Sequence, residues 1–219
     1  MSQRLVLVVL GKQGAGKGTQ CALLSERYGI PHVSTGDILR AAVKAGTPVG
    51  LEVKEVLDRG ELVSDDLIMR LIEERLEQDD ATGGALLDGC TRTIGQAEAL
   101  ENLLGPKGVS LVLNIEVPTE LVTERLSSRR VCQECGSIYT DTDISAVSGT
   151  CEKCGGDVVQ RADDTPEAIA TRLAAYERDT RPLLDFYAER GLLVEIDGNQ
   201  DVAAVSNSIH EVLVGRGLL

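Results

Sequence analysis

There is no tryptophan in these 219 residues, one phenylalanine and four tyrosines, and only two histidines, His32 and His210. Aromatic poverty joined to an acidic balance is a common mark of disorder. Here, however, 42% of the chain is hydrophobic, so a core of aliphatic side chains is within reach. Positive charge is also short: 22 Lys and Arg face 35 Asp and Glu, leaving a net charge of −13. Coating a polyanion requires a basic footprint, so broad nucleic-acid binding is excluded. No apolar run reaches the roughly 18 residues of a membrane-spanning helix, and the N-terminus enters a strand-like run with no signal-peptide pattern. The expectation is a cytoplasmic protein with no membrane or nucleic-acid partner. Its length suits one large α/β domain or a domain with insertions.

Leu5–Leu10 is a continuous aliphatic run, the pattern of a strand buried on both faces. Similar runs recur at Ala85–Asp88, Leu111–Val117 and Leu192–Asp197, and Pro31–Ser34 supplies a further short strand. Helical spacing marks Thr19–Tyr28, Asp65–Gln78, Pro118–Arg130, Pro166–Arg190 and Val202–Val214. Alternating strands and helices predict a parallel sheet with right-handed crossovers. Two segments break the alternation. Residues 34–63 read as helical with no strand of their own. Residues from about 129 to 165 are rich in Gly, Asp, Ser and Cys, with hardly any apolar periodicity, and need a staple in place of a core.

The first strand runs into Gly11-Lys12-Gln13-Gly14-Ala15-Gly16-Lys17-Gly18-Thr19. Glycines at this spacing let successive N–H groups converge on one anion, and the following helix adds its positive end. Lys17 supplies a full charge to the β/γ-phosphates, and Thr19 a hydroxyl near Mg²⁺. The strict pattern places Ser or Thr directly after the Lys, whereas here Gly18 intervenes. The bland alternative is an ordinary glycine turn between strand and helix. Such a loop indicates a nucleoside triphosphate but not its fate, since GTPase switches, ATP-driven machines and small-molecule kinases all carry one.

Several bases lie downstream. Arg40 sits one turn into a helix that Ser34 or Thr35 can cap. Arg92 follows Asp88-Gly89-Cys90-Thr91, with Gln96 four residues later. Arg125 and Arg129 are four apart, which on one helix would put both guanidiniums on one face. Arg161 precedes Asp163 and Asp164, and Thr165-Pro166 reads as a helix cap and first position. Arg172 falls on an apolar stripe with Ile169, Leu173 and Tyr176.

Cys132, Cys135, Cys151 and Cys154 form two C-x-x-C pairs, each followed by glycine, and Cys21 and Cys90 stand alone. Four thiolates at this spacing suit tetrahedral Zn²⁺, with disulfides or free thiols as the alternatives. Between Ser128 and Thr165 acids outnumber bases, which favours a structural metal over nucleic-acid contact.

Taken together, the motifs at Gly11–Gln20, Ser34–Arg40, Asp88–Gln96, Arg129–Gly136 and Arg161–Glu167 resemble the adenylate kinase family, in its long form with a zinc-binding lid. The resemblance spans essentially the whole chain. It implies a P-loop NTPase-type, five-stranded parallel sheet flanked by helices, with two mobile inserts. The CORE would comprise 1–33, 64–127 and 165–219, the helical monophosphate-binding insert 34–63, and the zinc-ribbon-like LID 128–164. It implies reversible phosphoryl transfer from Mg·ATP to AMP, with Mg²⁺ and structural Zn²⁺ as the metals.

By the same resemblance, Gly14, Ala15, Gly16, Lys17, Gly18 and Thr19 hold the ATP phosphates, with Arg129, Ile138, Tyr139 and Gln200 near that nucleotide. Thr35, Arg40, Glu61, Leu62, Val63, Gly89, Cys90, Thr91, Arg92 and Gln96 form the AMP pocket with Arg161 and Arg172. Lys17, Arg92, Arg125, Arg129, Arg161 and Arg172 serve the transferring phosphoryl group, and Asp88 holds Mg²⁺ through water. Phosphoryl transfer to a phosphate needs no deprotonated hydroxyl, so cations are expected and a general base is not. Both histidines read as structural. A monomer is expected, because the inserts must swing.

Two positions depart from the family. Gln13 stands where Pro is usual, and Cys90-Thr91 replaces a Phe-Pro whose bond is generally cis. Before Thr91 a cis bond would cost about 2.5–4 kcal/mol, against about 0.5–1 before Pro. A trans bond that re-aims Arg92 and a local repacking are the two expectations. The first would yield a degenerate nucleotide-binding homologue with altered acceptor use. A UMP/CMP-type kinase is a further alternative, although Thr35 and Gln96 fit the adenylate pattern.

Overall fold

A computed structural model describes residues 4–219, so the first three positions of the expected CORE lie outside the described residues. β1 (Leu5–Leu10) is buried at every position. It is followed by α1 (Lys17–Tyr28), β2 (His32–Ser34), α2 (Thr35–Lys44), α3 (Pro48–Asp58) and α4 (Asp65–Leu76). Then come β3 (Gly84–Asp88), α5 (Ile94–Leu104), β4 (Leu111–Glu116) and α6 (Thr119–Ser128). The cysteine-bearing segment contains β5 (Arg129–Cys132), β6 (Ile138–Thr140), α7 (Ile144–Ser148) and β7 (Val158–Val159). The chain ends with α8 (Pro166–Ala175), α9 (Pro182–Ala188), β8 (Leu193–Asp197) and α10 (Val202–Gly215).

Five strands form one parallel sheet in the order β2-β3-β1-β4-β8. Alternation along β1 divides the core. Val6, Val8 and Leu10 join Ile72, Leu100 and Tyr187 on one face, and Leu5, Leu7 and Val9 join Leu24, Val122 and Ile209 on the other. Burial on both faces is why β1 is uniformly aliphatic. The carboxyl ends of β1 and β3 lead directly into the glycine loop and into Gly89-Cys90-Thr91-Arg92, so the sheet delivers both motifs to one edge.

Residues 129–159 make a separate antiparallel sheet, β6-β5-β7, around a small cluster of Cys132, Tyr139, Cys151 and Val158. This corrects the expectation that Arg125 and Arg129 share one helical face. α6 stops at Ser128, and Arg129 adopts extended geometry (φ −62°, ψ 135°) and pairs with Thr140. The helical stretch expected over 166–190 is also interrupted. Pro182 has no N–H to donate, and the chain passes through a wide turn at Tyr176–Thr180, closed by Arg181 N–H donating to the Tyr176 carbonyl at 2.8 Å. α5 was absent from the sequence expectations. Thr93 caps it by accepting from Gln96 N–H.

Candidate active site

Four helices, α2, α3, α5 and α8, begin with a Ser or Thr side chain accepting a backbone N–H, and Asp201 does the same for α10. α1 has no such cap. It starts at Gly16, whose φ of +97° is left-handed and whose missing side chain would meet nothing within 4 Å. The glycine is therefore demanded by backbone conformation, not by space. The first N–H groups of α1 are left for an anion. Lys17 Nζ donates to the carbonyls of Gly11 at 2.7 Å and Lys12 at 2.8 Å, closing the loop on itself. Burial pulls Lys17 down to about 8, against the opposing pull of Asp88 and with help from Arg92 and Arg172.

The loop opens on a cavity of about 460 Å³, lined by every residue from Gly14 to Thr19 and by Asp88, Thr91, Arg92, Arg125, Arg129, Arg161 and Arg172. Ile138, Tyr139 and Gln200 line it as well. A second cavity of about 50 Å³ is lined by Thr35, Glu61, Leu62, Val63 and Gln96. The two share Gly36, Arg40, Gly89, Arg92 and Arg172 as common lining. Of the residues singled out in the sequence for the two nucleotides, only Cys90 lines neither. It is fully buried, with its thiol 3.4 Å from the Val33 carbonyl. Tyr139 is mostly buried, and its hydroxyl lies 3.1 Å from Cys151 Sγ.

No peptide bond among the described residues is cis, so Thr91 follows a trans bond. Arg92 nonetheless stays at the junction of the cavities. Its Nε–H donates to the Gly89 carbonyl at 3.3 Å, and its own carbonyl accepts from Thr180 Oγ1 at 3.0 Å. The difference from the family's usual Phe-Pro is absorbed locally: Cys90 is buried, and the buried Thr91 hydroxyl has no hydrogen-bond partner. Gln13 Oε1 is likewise buried without a partner.

Carboxylates hold the guanidiniums in place. Asp164, 1% exposed, accepts two bonds from Arg129 and one from Arg172. Asp163 accepts two from Arg161 at 2.9 Å and lies 3.3 Å from Arg172. Asp37 pairs with Arg40. Burial lowers Arg172 to about 10 and also lowers Arg40 and Arg92; nearby guanidiniums add to this effect. Sequence reasoning gave these acids no role, although Asp163 and Asp164 stand two and three residues after Arg161. It also read His32 as purely structural. In the structure, His32 Nε2 lies 3.3 Å from Asp88 Oδ2. His210 is remote from these residues, with Nδ1 2.6 Å from the Tyr28 hydroxyl.

The four lid cysteines converge. Their sulfurs all lie within 4.8 Å of one another, with Cys132–Cys154 at 3.4 Å and Cys135–Cys151 at 3.6 Å. Zinc–thiolate bonds of about 2.3 Å give a tetrahedral sulfur–sulfur edge of about 3.8 Å, so the donor set fits Zn²⁺.

A family model described as adenylate kinase matches residues 9–192. The adenylate kinase of Geobacillus sp. (strain WCH70) is 49% identical over 212 residues, covering 95% of this chain and 98% of the relative. That of Carboxydothermus hydrogenoformans is 48% identical over 210 residues, covering 94% and 98%. That of Bacillus subtilis (strain 168) is 47% identical over 212 residues, covering 95% and 98%. With an uncapped glycine loop and two cavities meeting along shared arginines, and with likeness running nearly end to end, the chain belongs to the adenylate kinase family.

Proposed function

We infer that the protein reversibly transfers the terminal phosphoryl group of Mg·ATP to AMP, giving two ADP and balancing the adenine nucleotides. The observation that carries this reading is the abutment of two cavities along Arg40, Arg92 and Arg172. The larger falls within the range of small-ligand sites. The smaller is well below it, so the 34–63 insert must swing outward to admit a monophosphate. This supports dividing the chain into a CORE (1–33, 64–127 and 165–219), that insert, and a LID at 128–164.

In this assignment Gly14–Thr19 bind the ATP phosphates. Arg129, Ile138 and Gln200 lie beside the nucleotide, and Tyr139 offers only its backbone. Lys17, Arg92, Arg125, Arg161 and Arg172 gather the reacting phosphates and neutralise charge as it develops. The acceptor is already an anion, so its nucleophile needs no base. Asp88 and Thr19 are oxygen donors suited to Mg²⁺, which when bound shields the phosphate charge. Closure of both inserts excludes the water that would otherwise hydrolyse ATP.

Adenine preference rests on Gln96. Its carbonyl oxygen accepts from Arg92 N–H at 2.7 Å, and its amide donates to Asp65 at 2.7 Å. One N–H and one lone pair remain, the donor–acceptor pair that an adenine edge presents in complement. The four cysteines hold structural Zn²⁺ and suit a reducing compartment such as the cytoplasm. We expect a monomer, since both inserts need free space.

A coupled assay with AMP, CMP, UMP and GMP tests the reading. AMP should be the strongly preferred acceptor, and Arg92→Ala should lose most turnover while remaining folded. No turnover with any acceptor would favour a degenerate homologue, the reading to which Cys90-Thr91 points. The position of Arg92 favours the active enzyme.

A further inference from the structure

Outside the lid, one other cluster among the described residues brings metal-binding chemistry together. Cys21 on α1, His32 on β2 and Asp88 at the end of β3 place Sγ, a ring nitrogen and a carboxylate oxygen within 4.8 Å of one another. We propose that these three residues form a second, inhibitory site for a thiophilic divalent cation such as Zn²⁺.

The geometry is close to what such an ion needs. With metal–nitrogen and metal–oxygen bonds of about 2.0 Å, the tetrahedral edge is about 3.3 Å. The observed separation of His32 Nε2 and Asp88 Oδ2 is 3.3 Å. Asp88 lines the larger cavity, which gives the ion a route in and leaves a fourth position for water or a phosphate oxygen. Cys21 is fully buried and lines neither cavity, so an ion entering past Asp88 would meet its thiol last.

Sulfur, imidazole and carboxylate together favour zinc over the hard, oxygen-seeking Mg²⁺. Binding forms one Sγ–metal bond, and the thiol proton leaves to solvent. The filled site, with a divalent cation, a thiolate and a carboxylate, carries no net charge. It therefore does not add a full dication beside Lys17 and Arg92. Its consequence rests on the function proposed above: an ion held by Asp88 withdraws that carboxylate from Mg²⁺.

The test uses the full chain with its lid already loaded, in the absence of nucleotide. Added Zn²⁺, buffered by a chromophoric chelator, should bind as a second equivalent. Cys21→Ser and His32→Gln should each weaken that equivalent at least tenfold, leave the lid equivalent unchanged and melt as the parent does. Co²⁺ should report the second site by a thiolate charge-transfer band that Cys21→Ser removes. Under saturating Mg²⁺, free Zn²⁺ too low to complex ATP should then abolish most turnover of the parent but not of Cys21→Ser. Stoichiometry is read without substrate, so an inactive protein does not obscure it. Only one bound equivalent, or a second one indifferent to both substitutions, would overturn the site. Binding without loss of turnover would overturn its inhibitory effect.

Discussion

Lys17 is held against two backbone carbonyls, with burial pulling its pKa down from 10.5 to about 8. A lowered lysine is disfavoured in its charged form, so it destabilises the empty fold most fully below about pH 8. That penalty is relieved as pH rises from about 8 toward 10.5. Triphosphate binding restores the charge. At pH 9, ATP binding should take up close to one proton, and at pH 6.5 almost none. Calorimetry in buffers of differing ionisation enthalpy reads this directly, and absence of uptake at pH 9 refutes it. Gly60 bears on the same site from the other side. Its φ is +73°, and an added Cβ would meet the Ala168 carbonyl at 2.6 Å and Arg172 Cγ at 2.7 Å. Gly60→Ala should cost about 1–3 kcal/mol in urea unfolding and, by displacing Arg172, lower kcat about tenfold. Arg172 was legible in the sequence because a charge on an apolar helical stripe is conspicuous. His32 was not, since its contact with Asp88 exists only once β2 pairs with β3.

Among the elements, the buried strands were readable to within one residue, because a strand covered on both faces must be continuously aliphatic. The lid strands were not. They run two to four residues, and their cluster is built largely on cysteine and tyrosine. Helical periodicity therefore ran past Ser128 and carried Arg129 with it. The cysteine spacing did mark the four thiols that the fold brings together. Chelation should lower Tm by about 5 °C or more and expose 133–157 to protease; an unchanged melt and digest would exclude a structural metal. At the root of the lid, burial alone would raise Asp163, but Arg161 and Arg172 outweigh it and hold the carboxyl down at about 2. The resulting stability is fully present above about pH 4 and is lost as pH falls through about 2. Asp163→Asn should therefore flatten the acid limb of a stability–pH curve between those values. A limb as steep as the parent's would show that this carboxylate is not its source.

For the whole molecule, seven cations of the cleft (Lys17, Arg40, Arg92, Arg125, Arg129, Arg161 and Arg172) are offset by Asp37, Asp88, Asp163 and Asp164, which all approach them. The site is thus less positive than its bases alone suggest, inside a strongly acidic shell that still disfavours polyanions. The two inserts meet at Lys44, whose ammonium donates to Glu134 at 2.9 Å and to the Gln133 carbonyl at 3.2 Å. Both side chains are more than half exposed, so the contact is weak. Lys44→Glu or Glu134→Lys alone should raise KM for AMP up to about fivefold, and the double reversal should restore it; failure of restoration would deny the pairing. The order β2-β3-β1-β4-β8 has one more consequence, for synthesis. Of the five strands of this sheet, the first to leave the ribosome is the middle one. Its two neighbours lie at Gly84–Asp88 and Leu111–Glu116. At ~5–20 residues per second, β1 waits on the order of several seconds for its first partner and longer for its second. During that interval a fully aliphatic strand has open edges, with α1 as its nearest early cover. A nascent chain broken off before Leu111 is left with one side of β1 permanently unpaired, a ready seed for aggregation.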